Sequence, residues 1–132
     1  KFYVLSVKGV DCKIMVPVEG VDKVGLRSII DEDRALNLFN LMAKKLGRSC
    51  SKVWSIRHNV FLQKLKKGVP EEMVEIYRES YWLIKTSHKI SFAEIQMYGT
   101  VRRIICTEIA LALNLSEVEV LKKMEEIMYR SL

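Results

Sequence analysis

Between Lys44 and Lys67 the chain carries no acidic residue, so nothing within that stretch can neutralise its positive charge. Other absences narrow the class of protein. No uninterrupted apolar stretch approaches the roughly 20 residues of a membrane-spanning helix, and no membrane partner is expected. No charged segment leading into an apolar core opens the chain, so nothing argues for secretion. The three cysteines, Cys12, Cys50 and Cys106, are odd in number, far apart and without Cys-x-x-Cys spacing. That excludes a disulfide framework and fits reduced, mostly buried thiols in a cytosol. His58 and His88 are too few to build a zinc site with them, and no metal is expected. A glycine-rich phosphate loop, His-Glu-x-x-His and Gly-x-Ser-x-Gly are all missing. No catalytic residue, cofactor or enzyme activity is expected.

What is present is a chain of 132 residues, nearly half apolar, with a formal charge of +6. It suits one medium domain, or a small module joined to a helical one. The charge favours an anionic partner, nucleic acid foremost. The acid-free stretch holds eight basic residues, Lys44, Lys45, Arg48, Lys52, Arg57, Lys64, Lys66 and Lys67, with Trp54 near its middle. Each cation that neutralises a phosphate releases a counterion, and an indole among them suits a groove or a disrupted base step. The competing reading makes Trp54 core and the lysines a solvated helix face. Polar neighbours Lys52, Ser55 and Arg57 separate Trp54 from Trp82, which stands beside Tyr81, Leu83 and Ile84 and is read as helix packing.

The first eighteen residues read as a hairpin. Phe2, Val4 and Ser6 alternate with Tyr3, Leu5 and Val7, Gly9 and Asp11 supply the turn, and Cys12 to Val18 returns. Cys12, Ile14 and Val16 are expected inward, Lys13 and Met15 outward toward a partner. A lone hairpin is marginal in water, so further strands are expected before Lys1 or from a second copy of the chain, with self-association as one outcome. Helical signals then take over. Asp31 caps a helix with Leu36, Phe39, Met42 and Leu46 inward, ending at Gly47; Ser51 caps another with Ile56, Val60 and Leu65 inward, stopped by Gly68. Pro70 opens a third, with Met73, Ile76, Tyr77, Tyr81 and Ile84 as its stripe. Ser91 and Glu94 form a capping box for a long helix through Leu113, and Ser116 with Glu119 opens the last. The fold class is therefore α+β, mostly α: a partial β module over residues 1–30, then a compact domain of about five helices over 31–132.

On the long helix, Arg102 and Arg103 are either a solvated pair, a salt bridge to Glu108, or phosphate contacts. Glu108, among Ile105, Ile109 and Leu111, is read as a structural partner for an arginine. The carboxylates Asp31–Asp33 and Glu71–Glu72 sit at helix N-termini, where the dipole accounts for them.

Three stretches in this order resemble the CarD/CdnL family of bacterial transcription regulators. They are Ile14-Met15-Val16-Pro17-Val18-Glu19 through Val24-Gly25-Leu26-Arg27; Trp54-Ser55-x-Arg57 with Leu62-x-Lys64-Leu65 and Gly68; and Ser91-Phe92-x-Glu94 with Arg102 and Glu108-Ile109-Ala110-Leu111-Ala112-Leu113. The resemblance implies a Tudor-like β module that binds the RNA polymerase β subunit, here through Lys13 and Met15. It also implies a helical domain on promoter DNA in the bacterial cytoplasm, associated with the nucleoid. Trp54 would wedge into the minor groove beside the melted region, with Arg57 as phosphate clamp and Lys52, Lys64, Lys67 and Arg102 as further DNA contacts. About thirty residues of the β module would lie before Lys1, judged by the strands such a barrel needs. Ile56 and Asn59 replace basic residues usual in the family, Ile95-Gln96 another, and Trp82-Leu83-Ile84 a charged run. Fewer phosphate contacts imply weaker, less salt-sensitive DNA binding. The rival from another class is a helical protein–protein interaction module without DNA contact.

Overall fold

A computed structural model describes residues 1–7, 9–21, 26–44, 54–86 and 90–131, with no side chain described for residues 54–56. Strands β1 (Phe2–Ser6) and β2 (Lys13–Pro17) pair antiparallel, Tyr3 opposite Val16 and Val4 opposite Met15. Gly9, at φ +82°, supplies the left-handed turn conformation that a side chain would resist. The pleat puts Tyr3, Leu5, Ile14 and Val16 on one face and Phe2, Val4, Lys13 and Met15 on the other. Only Val16 is buried. Cys12 and Ile14, expected inward, are exposed, because two strands alone offer little to cover them.

Five helices follow among the described residues: α1 (Glu32–Ala43), α2 (Trp54–Lys67), α3 (Pro70–Thr86), α4 (Phe92–Leu113) and α5 (Glu117–Arg130). Their boundaries have local causes. The Asp31 carboxylate accepts from Arg34 N at 2.8 Å, and the Ser116 hydroxyl accepts from Glu119 N at 3.2 Å. Ser91 and Glu94 close the full capping box on α4. Gly68 ends α2 at φ +68°, and Asn114 ends α4 in the left-handed region at φ +55°. Leu46, Gly47, Cys50 and Ser51 lie outside the described residues.

The core is held between α1, α3, α4 and α5, with Leu38, Met42, Tyr77, Ile109, Met124 and Val120 shut from water. In two helices one residue of the expected inward stripe is turned to solvent, while Phe39, Met42 and Leu65 keep their expected places. In α1 the inward stripe is Ala35, Leu38, Phe39 and Met42, and Leu36 is 47 % exposed. Ala35 takes the core-facing position beside Leu36 and is completely buried. In α2, Val60 is 41 % exposed, while Phe61 and Arg57 one turn before it face inward and Leu65 is partly covered. An arginine holds a core-facing position there because a carboxylate meets it. Trp82 is also turned outward, 38 % exposed on α3, rather than packed between helices.

Ion pairs join elements far apart in sequence. The Arg27 guanidinium grips both carboxylate oxygens of Glu108 on α4, and its Nε donates to Gly68 O at 3.0 Å. Ile30 N also donates to Glu108, at 3.3 Å. The segment before α1 is thereby tied to α2 and α4. Hydrogen bonding to Glu108 raises the Arg27 pKa against the opposing effect of burial. Arg34 on α1 binds Glu71 on α3 through two hydrogen bonds of 2.7 and 3.0 Å. Those bonds hold the Glu71 carboxyl below its ordinary value. A depressed carboxylate adds stability above its unfolded pKa and loses it as pH falls through the folded one. The stability gap between wild type and Glu71→Gln is therefore expected to be full at neutral pH and to close below about pH 4. Urea titrations at a series of pH values from neutral to strongly acidic check this; a gap that widens on acidification contradicts the pairing.

Candidate nucleic-acid interface

Trp54 is the first residue of α2 as described, so its backbone is helical; its side chain falls outside the described set. Lys52 lies outside the described residues altogether. One turn after Trp54, Arg57 points into the protein, 8 % exposed, and its guanidinium pairs with Glu94 at the start of α4. Glu94 does two jobs there. Its second oxygen accepts from Ser91 N at 3.1 Å, completing the capping box, while the Ser91 hydroxyl accepts from Glu94 N at 3.2 Å. One carboxylate thus fastens the first turn of α4 and the first described turns of α2 together. Phe61, Ser80, Ile84 and Met97 line the apolar space beside it.

The remaining cations divide by surroundings. Lys64 Nζ lies 2.8 Å from Glu75 on α3, which draws it along the seam between the two helices. The Lys67 side chain is 67 % exposed and 4.0 Å from Glu72, at the edge of an ion-pair contact. An exposed pair of this kind contributes little and leaves the ammonium available to phosphate. Trp54 and Lys67 are thirteen residues apart, so about 20 Å of helix axis separates them. Arg102 pairs with Glu125 on α5 at 3.3 Å and lies over the Tyr98 ring at 5.3 Å. Its partner is Glu125 rather than Glu108, which Arg27 occupies. Arg102 and Arg103 border a groove of about 400 Å³ between α4 and the start of α5, with Cys106 and Leu121. Arg102 lies about 12 Å further along α4 than Glu94, so the fold does not gather all the expected cations on α2.

On the hairpin, Lys13 and Met15 share the exposed face with Phe2 and Val4. Among the described residues no group of three His, Cys, Asp or Glu side chains is arranged to hold a metal ion. His88 lies outside them. None of the described helices is long and apolar enough to cross a membrane.

Sequence reasoning missed the inward turn of Arg57 and the double use of Glu94. A signal existed: Arg57 sits four residues before Phe61, the apolar residue that defines the buried stripe. Residues 37–125, from within α1 to within α5, match the family model described as CarD, C-terminal domain.

Proposed function

We propose, from the premise that this chain belongs to the CarD family, that it is a non-enzymatic transcription regulator that docks on the RNA polymerase β subunit and stabilises the promoter open complex. The β hairpin supplies the polymerase contact, with Lys13 and Met15 on its exposed face, and α2 supplies the DNA contact. Trp54 is the wedge at an opened base step, and Lys52 and Lys67 are its phosphate contacts. The observation that carries this reading is the position of Trp54 in the first described turn of α2, inside a stretch with eight cations and no carboxylate.

Trp54→Ala is the direct test, read on a duplex with a preformed bubble and on open-complex lifetime. Stacking of this type contributes roughly 1–3 kcal/mol, so affinity is expected to fall about 5- to 150-fold with little change in melting temperature. A core tryptophan behaves oppositely, costing about 3–5 kcal/mol of folding stability on truncation. A large loss of stability therefore sinks the wedge.

The rival reading, a helical interaction module, gains support from the pairing of Arg57, Lys64 and Arg102 with carboxylates. A salt titration separates the two. Binding through phosphate contacts weakens steeply with salt, whereas a packing module has no DNA affinity to lose.

A further inference from the structure

We infer that Arg57 and Glu94 form a positioning device for the DNA-contacting turn of α2, and that Arg57 does not itself clamp a phosphate. The inference rests on the reading of Trp54 as the DNA contact and assigns the residues that hold it in place. Three observations meet at this point. Arg57 is nearly shut from solvent although it sits in the most basic stretch of the chain. Its guanidinium is bound to a carboxylate that is itself 13 % exposed. That carboxylate is simultaneously the capping-box residue of α4, so it cannot move without unfastening the helix start.

The geometry makes the function of such a pair local. Arg57 follows Trp54 by three residues, so the two backbones belong to neighbouring turns of one helix, about 4.5 Å apart along its axis. A side chain that prises a base step apart must be held against the reaction of the duplex, which costs a few kcal/mol per unstacked step. A helix terminus frays readily, because its first backbone N–H groups have no partner within the helix. Arg57 anchors the first described turns of α2 to the capped start of α4, where the Ser91 hydroxyl accepts from Glu94 N and the Glu94 carboxylate from Ser91 N. Charge-assisted hydrogen bonds are shorter and stronger than neutral ones, and the low polarity around Phe61 and Ile84 preserves that strength.

The clamp and positioning readings predict opposite signs for one substitution. Glu94→Gln keeps the capping box, which accepts glutamine as well as glutamate, and removes only the charge facing Arg57. If Arg57 were a clamp held back by Glu94, the substitution would free it and tighten DNA binding. If the pair positions Trp54, the substitution weakens binding.

The experiment measures affinity of the full chain for a bubble-containing duplex across a salt series, for wild type, Trp54→Ala, Arg57→Gln, Glu94→Gln and the double variant. Expected is a loss of roughly three- to tenfold for Arg57→Gln and for Glu94→Gln, little further loss when the two are combined, and an unchanged salt slope. Arg57→Lys, which retains one ionic contact, recovers part of the loss. Amide exchange over residues 54–61 in the absence of DNA is expected to accelerate in Glu94→Gln, a reading that needs no nucleic acid.

Tighter binding by Glu94→Gln overturns the inference. So does a salt slope lowered by about one in Arg57→Gln, the mark of a lost phosphate contact. Unchanged exchange over residues 54–61 also overturns it. Equal affinity of wild type and Trp54→Ala defeats the wedge itself, and is told apart from failure of the positioning pair by the exchange measurement.

Discussion

Replacing Tyr77 with alanine is expected to cost about 3–5 kcal/mol of folding stability. That is a large share of the 5–15 kcal/mol typical of a domain. Tyr77 is completely buried on α3 at the centre of an aromatic group. Its ring stacks on Tyr81 with centroids 6.5 Å apart and planes 8° from parallel, and meets Tyr98 of α4 at 5.5 Å. Cations flank the group on both sides, Lys85 at 5.5 Å over Tyr81 and Arg102 at 5.3 Å over Tyr98. Truncation opens a void between α3 and α4 that the stacked neighbours cannot collapse to fill, because each is held on its far side. The melting temperature should fall by roughly 10–20 °C, followed by circular dichroism.

Tyr77→Phe isolates the hydroxyl. That group is buried without a well-aligned hydrogen-bond partner among the described residues. Burial first, then Tyr98, push the phenol far above its ordinary range, so it stays neutral. Its removal is expected to change stability by no more than about 1 kcal/mol. A phenylalanine variant as unstable as the alanine one would show that the hydroxyl, not the ring, holds α3 to α4.

The second large effect is expected at Glu108. Alanine there strands the Arg27 guanidinium and leaves Ile30 N without its acceptor. Breaking a buried pair costs about 3–5 kcal/mol. Arg27 keeps a third of its side chain in water and can turn outward, so roughly 1–3 kcal/mol is the expected loss. Urea denaturation measures it. Replacing both partners by apolar residues, Arg27→Met with Glu108→Leu, should recover much of the difference, since no charge is then left unpaired. A double variant as unstable as the single one would mean that packing, not charge, matters at this position. Because Arg27 also donates to Gly68 O, Glu108→Ala should loosen the end of α2 as well as the segment before α1.

The helical class and most of the described helix boundaries were readable from the chain. The end of α1 was not, since the helix stops at Ala43 with Lys44 extended, short of the expected Gly47. The readable boundaries have local causes: a carboxylate or hydroxyl at the N-cap, proline in the first turn of α3, glycine after α2 and the Ser91–Glu94 box all act within three or four residues. The stripe Met73, Ile76, Tyr77 and Tyr81 was readable for the same reason, since one helix fixes the spacing by itself. Membership of the family was legible too, from motifs in order along the chain. The tertiary structure alone decided the limits of the buried sides of α1 and α2, beyond Phe39, Met42 and Leu65, which lie where their spacing put them. Ala35 and Arg57 take inward places that hydrophobicity would assign to Leu36 and Val60, and for Arg57 the cause is Glu94, which another helix supplies. It alone also decided the partners of the charges. Arg27 with Glu108, Arg57 with Glu94 and Arg102 with Glu125 are 81, 37 and 23 residues apart. Attraction between charges depends on distance through space, and no spacing along the chain encodes it.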